Sequence, residues 1–581
     1  MSDETRYDRR AFMAYFSSLG LGATLFPGAL WSQAATTASS SGAAGVAGES
    51  AGAVEITLET IRCAEEIAGL TFTGTEREMM LRGLQNYQER YQALREMPLP
   101  NAVVPAIHFD PVPPGGTAPP ATPPTRGRMT RSPVSLRTAP SNLEELAFAP
   151  VTELSELVRR RQVTSVQLTE MYLRRLERHD PVLQCVVTLT PERALRQARE
   201  ADAEIAAGRY RGPLHGIPWG AKDLLAVAGH PTTWGTTPYR EQRFEEDAEV
   251  VKRLDAAGAV LVAKLTLGEL AQGDNWFGGQ TKNPWRTEQG SSGSSAGSAS
   301  ATAAGLVGFA IGTETLGSIS SPSTRCGTTG LRPTFGRVPR TGAMALSWTM
   351  DKIGPICRSV EDCALVFDAI HGADGYDRSA VNAPFTWNAT VPLRSIRVGY
   401  LQSAFERDYQ QRAFDEASLA VVRGLGVELI PVEIPDMNYG AMRLVLSAEA
   451  AAFFDELTRS GRDDLMAQQG QGAWPNTFRT ARFIPAVEYI NAHRARTLAM
   501  QRWAELFATV DVIITPTSGA QLTATNLTGH PAVILPNGFR ENGTPVSITF
   551  LGQLYGEANL LAVAHAYQRA TDFHARQPAL G

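Results

Sequence analysis

The chain has 581 residues, 43% of them hydrophobic and 19% charged, with a net charge of −5. That balance excludes global disorder and a collagen-like repeat, and its mild acidity argues against a general nucleic-acid binder, which carries a basic face. Only five of the 54 basic residues are lysines: Lys222, Lys252, Lys264, Lys282 and Lys352. The five cysteines show neither a disulfide framework nor a zinc-ligand spacing; each reads as a small buried apolar side chain, with one bridge at most.

The N-terminus reads as an address. Asp8-Arg9-Arg10-Ala11-Phe12-Met13 leads into an apolar run from Met13 to Trp31, broken by Gly20, Gly22 and Pro27, which exits into Ser32-Gln33-Ala34. Twin arginines before a modest apolar stretch with a small-residue exit predict a twin-arginine export signal over 1–34. The protein is then periplasmic or extracellular, with no stable membrane span once the signal is removed; a retained anchor is the alternative. Residues 35–54, rich in Ala, Ser, Gly and Thr, predict a flexible tether. Residues 55–96 predict a helical extension that docks on the main body, being too small for a core of its own. Between Pro98 and Pro124 there are ten prolines in 27 residues, so 97–142 is expected to be an extended strap or spacer.

The regular body spans 143–581. A T-x-x-Q capping box at Thr164 opens a helix over 165–178. Cys185–Leu189 reads as a strand, after which Thr190 caps a helix running to Ala207. A helix over 247–257 precedes a strand at Ala259–Ala263. Later strands are expected at Arg397–Tyr400, Glu428–Val432, Asp511–Ile514, Ala532–Leu535 and Val546–Phe550, with helices over 412–424, 485–507 and 557–570. Strands alternating with helices over 400 residues predict an α/β layered fold on a mixed sheet.

Residues 290–300 read Gly-Ser-Ser-Gly-Ser-Ser-Ala-Gly-Ser-Ala-Ser. The composition is that of a linker, but the segment runs directly into Ala299–Ala304, a helix former, and Leu306–Ile311, a buried-strand candidate. A Gly/Ser turn at a helix start places N–H groups and hydroxyls where negative charge is favoured. A second small-residue loop, from Gly312 to Ser323, follows the strand, and Lys222 ends an apolar turn upstream. A serine hydroxyl needs a proton acceptor to act as a nucleophile, and a lysine serves only when burial keeps it neutral.

Gly216-Ile217-Pro218-Trp219-Gly220-Ala221-Lys222-Asp223, Gly293-Ser294-Ser295-Ala296-Gly297-Ser298-Ala299 and Gly317-Ser318-Ile319 together resemble the amidase signature family. The run from Gly327 to Val338, Asp511–Thr517 and Gly529-His530-Pro531-Ala532-Val533 extend the resemblance over about 143–575. It implies a single α/β/α domain on a twisted mixed sheet and hydrolysis or transfer of acyl groups from amides; no cofactor is expected, and no metal, because the nine histidines show no H-E-x-x-H and no paired ligand spacing. Carried over residue by residue, it makes Ser318 the nucleophile, Ser294 the bridging serine behind a cis Gly293–Ser294 bond, and Lys222 the base. Backbone N–H groups of Thr315, Leu316, Gly317 and Ser318 would form the oxyanion hole, with Ser295 and Thr313 in support. Glu314, Leu316 and Ser320 depart from the family's aspartate, glycine and arginine, and Arg325 is the candidate replacement for the arginine missing at 320. Asp274, Asn275, Trp276 and Phe277 precede the Gly/Ser turn and are candidates for a substrate wall.

The expected partner is a small-molecule amide, extending to esters or carbamates, with no nucleic acid; a homodimer stays open. Two other readings use the same residues. An amidotransferase A-type subunit shares this signature and needs partner chains. Gly293-Ser294-Ser295-Ala296-Gly297 also fits the G-x-S-x-G elbow of α/β-hydrolases, with Ser295 attacking and a histidine from His371, His493, His530, His565 or His574. That elbow needs a strand directly before it, and 283–292 is polar and contains Pro284, so no strand is expected there.

Overall fold

The computed structural model describes residues 56–96, 99–103, 107–113, 116, 129–134 and 138–580. The expected signal peptide and tether lie outside these residues, as does much of the proline-rich stretch. The chain divides after Leu94 into two units. In the first, the expected helical extension is two helices, Leu58–Ala68 and Gly74–Arg95. Thr57 starts the former with a reciprocal side-chain cap to Thr60, and Gly69 ends it at φ 66°.

The second unit is built on one eleven-stranded sheet. Its strands are β1 (Val186–Leu189), β2 (Pro218–Lys222), β3 (Val260–Leu265), β4 (Phe309–Glu314), β5 (Thr329–Arg332), β6 (Lys352–Cys357), β7 (Val398–Leu401), β8 (Leu429–Val432), β9 (Val512–Pro516), β10 (Ala532–Phe539) and β11 (Pro545–Gly552). They lie in the order β1-β3-β2-β4-β6-β5-β10-β11-β9-β7-β8. Parallel pairing joins β3, β2 and β4 at one end and β9, β7 and β8 at the other; the strands between are antiparallel.

The period-two alternation of the strands makes this a three-layer molecule. Val512 and Ile514 enter one core, while Ile513 between them enters another on the opposite face. Phe309 and Ile311 likewise face the first core, and Ala310 a third. Helices Val360–Ile370 and Glu557–Arg569 pack on the first face, and Ala296–Ala303 covers β4 on the other.

The expected strands are present with ends moved by a few residues, and the helices follow at Ser165–Leu183, Pro191–Ala206, Glu249–Ala256, Arg412–Gly424, Ala486–Thr509 and Glu557–Arg569. The capping box at Thr164 forms as read. Thr190 does not cap: its hydroxyl donates to Leu261 O at 2.7 Å and ties the helix start to β3 instead. The segment thought too polar for a strand holds a two-stranded hairpin, Lys282–Asn283 with Arg286–Gly290, outside the main sheet. Hairpin pairing needs only backbone groups, so polar side chains and Pro284 at the turn do not prevent it. Cys63 is exposed rather than buried, because Leu58–Ala68 turns it to solvent; all five cysteines are free thiols. No helix among the described residues is long and apolar enough to cross a membrane.

Described parts of the proline-rich stretch lie on the second unit. Asn101 exchanges two 2.8 Å hydrogen bonds with Ala345. Phe109 meets Phe335 edge to face at 5.1 Å. The Ser132 N–H donates to Glu361 at 2.8 Å.

Candidate active site

The segment expected to be an apolar turn is strand β2, with Lys222 as its last residue, and Thr313 lies near the end of the neighbouring parallel strand β4. Parallel pairing therefore brings two distant segments together at the C-terminal ends of adjacent interior strands. The helix Ala296–Ala303 lies against β4, so the Gly/Ser turn before it opens over the same strand ends. Gly297 permits this approach: a Cβ there would stand 2.4 Å from Cys185 O and from Thr266 N. We expect Gly297→Ala to cost about 3 kcal/mol, read as a lowered thermal midpoint; an unchanged midpoint would show that the helix is free to shift.

The Lys222 side-chain nitrogen, fully buried, lies 2.8 Å from Ser294 Oγ, 2.8 Å from Thr313 Oγ1 and 3.1 Å from Ser295 Oγ. It has no ion pair with any described residue. Burial holds its pKa well below the ordinary 10.5, outweighing the pull of the more distant Asp351 and Glu314 carboxylates. Ser295 is also fully buried; its hydroxyl donates to Thr313 O and accepts from Thr313 N, both at 3.1 Å. The Gly293–Ser294 peptide bond is cis.

Ser318 lies in the second turn, beyond the end of β4. Its carbonyl accepts the Ser295 N–H at 3.1 Å, which sets the two turns side by side. Its hydroxyl is half-exposed and makes no hydrogen bond within the described residues, so a direct link to Ser294 is not closed in this state. The N–H groups of Thr315, Leu316, Gly317 and Ser318 likewise have no acceptor among the described residues, and Gly317 sits at φ 99°, where a side chain is strained. A row of unspent donors at a half-exposed turn attracts developing negative charge.

The turn is held from below by Glu314. Its carboxylate accepts the Ile319 N–H at 2.9 Å and the Ser320 N–H and hydroxyl at 2.8 Å. Arg332 at 2.7 Å and Asn526 at 2.8 Å complete the set. Burial alone would raise the Glu314 pKa; Arg332 and the donated hydrogen bonds overcome it and bring it to about 2. Arg332, from the end of β5, thus supplies the positive charge expected of Arg325. Arg325 points away, exposed, with Nη1 3.2 Å from Gln289. Sequence reading missed this role for Arg332 although the residue lay within the quoted motif. It also missed Asp351, which receives the Thr315 hydroxyl at 2.6 Å and the N–H groups of Leu346 and Ser347.

Of the expected wall, Asp274 braces the Gly/Ser turn by accepting the Ser292 N–H at 2.8 Å and lines a small cleft with Gln289 and Arg325. Asn275 and Trp276 pair with Gly279–Gln280 in a hairpin, and Phe277 lies under the Arg240 guanidinium at 5.1 Å. A larger cleft of about 520 Å³ borders the serine turn through Ser292, Ser320, Ser321 and Leu522. Neither cleft includes Asn275, Trp276 or Phe277. No group of three or more His, Cys, Asp or Glu among the described residues is placed to hold a metal ion.

Comparison with known proteins matches this architecture. The Amidase family model matches residues 167–525. The chain is 36% identical over 478 residues to the glutamyl-tRNA(Gln) amidotransferase A-type subunit of Methylococcus capsulatus, covering 74% of this chain and 98% of that one. The crystal structure of the native peptide amidase from Stenotrophomonas maltophilia superposes with a TM-score of 0.67 at 32% identity, over 75% of this chain and 99% of that chain. An amidase family protein from Bacillus anthracis gives the same TM-score, 0.67, at 26% identity, over 75% and 93%. The chain belongs to the amidase signature family, whose fold it shares over its second unit and whose members cleave amide C–N bonds.

Proposed function

We propose that this protein is an exported serine hydrolase that cleaves amides through an acyl-enzyme on Ser318, with Ser294 as proton bridge and Lys222 as base. One observation carries the reading: a fully buried lysine with no carboxylate partner among the described residues, surrounded by three hydroxyls. A neutral amine has two hydrogens to donate and one lone pair. Because Ser295 spends its hydrogen on Thr313 O, it only accepts from the amine. The lone pair is left to Ser294 or Thr313, and Ser294 is next to the turn that carries Ser318.

The chemistry follows. As Ser318 Oγ attacks the carbonyl carbon, its proton passes to Ser294 while the Ser294 proton passes to Lys222. The carbonyl oxygen becomes an oxyanion facing the unspent N–H groups of residues 315–318, each worth roughly 10²–10³ in kcat where it is aligned. Collapse breaks the C–N bond. The lysine proton returns through Ser294 to the departing nitrogen, which leaves as an amine or ammonia. Water then repeats the sequence on the acyl ester and frees the acid. An ester or carbamate can follow the same route.

A second reading, the amidotransferase A-type subunit, is favoured by the similarity to the Methylococcus capsulatus protein. The twin arginines and apolar run at the N-terminus support the exported, self-sufficient hydrolase instead. Ser295 is a poor rival nucleophile: it is buried, and its partners are Lys222 and Thr313, none a histidine. A fluorophosphonate probe followed by peptide mapping tests the assignment. Label is expected on Ser318; label on Ser295 would reverse the roles, and no label without added partner chains would favour the multi-chain reading.

A further inference from the structure

The cleft of about 520 Å³ runs from the turn that bears Ser318 to the β10–β11 hairpin, and two guanidinium groups line it: Arg325 and Arg540. Neither belongs to an ion pair among the described residues. Arg325 meets only the neutral Gln289 side chain. Arg540 donates to Pro545 O at 2.9 Å and to the Thr544 hydroxyl at 3.4 Å. Every hydrogen-bond partner is neutral, and Asp274, which lines the adjoining small cleft with Arg325, forms no ion pair with it. The two arginines also feel one another: burial lowers the Arg540 pKa, and the Arg325 charge lowers it further.

Two like charges sharing a concave wall without a counterion raise the free energy of the empty site, and an anion between them relieves it. The wall offers further donors. The hydroxyls of Ser292 and Ser321 make no hydrogen bond within the described residues. The carboxyl in the wall, Asp415, is buried and turned inward onto Asn537 Nδ2 at 2.7 Å, so it does not neutralise the arginines. The cleft also adjoins the reaction centre: Leu522 and Ser321 in its wall lie 3.5 and 3.2 Å from where a Cβ on Gly317 would stand.

We propose that this cleft is a carboxylate subsite, so that the amide substrate carries an acidic substituent gripped by Arg325 and Arg540 while its carbonyl lies at Ser318. The proposal rests on the Ser318 reading for the position of the reacting bond but not for the binding of the anion. Planar guanidinium forks match a carboxylate, and a charge-assisted bond of this kind outlasts competition from water better than a neutral one.

Glutarate, a carboxylate probe with no bond to cleave, tests the subsite by calorimetry. It is expected to bind the wild type, more weakly as salt is raised, and to lose about tenfold or more of its affinity in Arg325→Gln and in Arg540→Gln. Absence of binding to the wild type, or equal binding in all three proteins, would overturn the subsite. Kinetics give the second readout. The ratio of kcat/KM for glutaramate over butyramide is expected to exceed one in the wild type and to fall in both variants. A ratio unchanged by either substitution would also sink the proposal. Because the ratio is internal to each variant, a partly unfolded preparation does not distort it, and exposed Arg325 gives a variant with little structural burden. Full activity in Ser318→Ala would instead overturn the nucleophile assignment and leave the glutarate result standing.

Discussion

Ser318→Ala is expected to lower kcat on an amide by roughly 10⁶-fold, and adding Lys222→Met to it should cost little more, because residues that act as one unit are strongly non-additive. Lys222→Met alone removes the proton acceptor at nearly constant volume and should itself lower kcat by roughly 10²–10⁴-fold or more, the range of a positioned general base. The pH profile gives a second readout. Only the neutral amine accepts a proton, so kcat/KM falls as pH drops through the Lys222 pKa. Burial displaces that value downward, so the acid limb should lie well below 10.5 and the plateau should extend above it. A limb at the ordinary lysine position, or a double variant that loses the product of the single effects, would contradict the shared proton path.

Glu314→Ala is expected to destabilise the protein by about 3–5 kcal/mol, the cost of breaking a buried ion pair by removing one partner. Arg332 and Glu314 are both fully buried, 2.7 Å apart. The substitution strands the guanidinium and also releases the N–H groups of Ile319 and Ser320. Activity should fall with stability, since these donors fix the turn carrying Ser318. Urea denaturation of both proteins measures the loss; a change below about 1 kcal/mol would mean that water replaces the carboxylate. The pH dependence has a definite sign. The folded pKa, about 2, lies below the ordinary 4.5. The stabilisation is therefore complete above 4.5 and is lost as pH falls toward 2. The variant should lack that component of acid destabilisation.

Much of the fold is legible along the chain because its period is local. The short continuous apolar runs Val512–Ile514 and Ala532–Leu535 mark strands buried on both faces, and the capping box at Thr164 marks a helix start before any contact is known. The hairpin at Lys282–Asn283 and Arg286–Gly290 is not legible in this way, since backbone pairing leaves no apolar trace. Strands β5 and β6 went unread because Thr329–Arg332 and Lys352–Cys357 carry Gly, Pro and charge. Packing between β4 and β10 makes them strands all the same.

The same division runs through the site. The sequence by itself determined the family and, through its resemblance to that family's motifs, the candidate residues Lys222, Ser294 and Ser318, because each lies in a contiguous run of residues that is recognisable without any knowledge of contacts. It also determined that Glu314 and Ser320 differ from the usual pair. Only the tertiary structure decided which arginine answers Glu314. Arg325 is near in sequence and points away, whereas Arg332 reaches the carboxylate from the end of another strand. Only the tertiary structure, too, set Arg325 and Arg540 in one cleft, 215 positions apart along the chain. Charge compensation depends on distance through space and on burial, and neither is written in the order of residues.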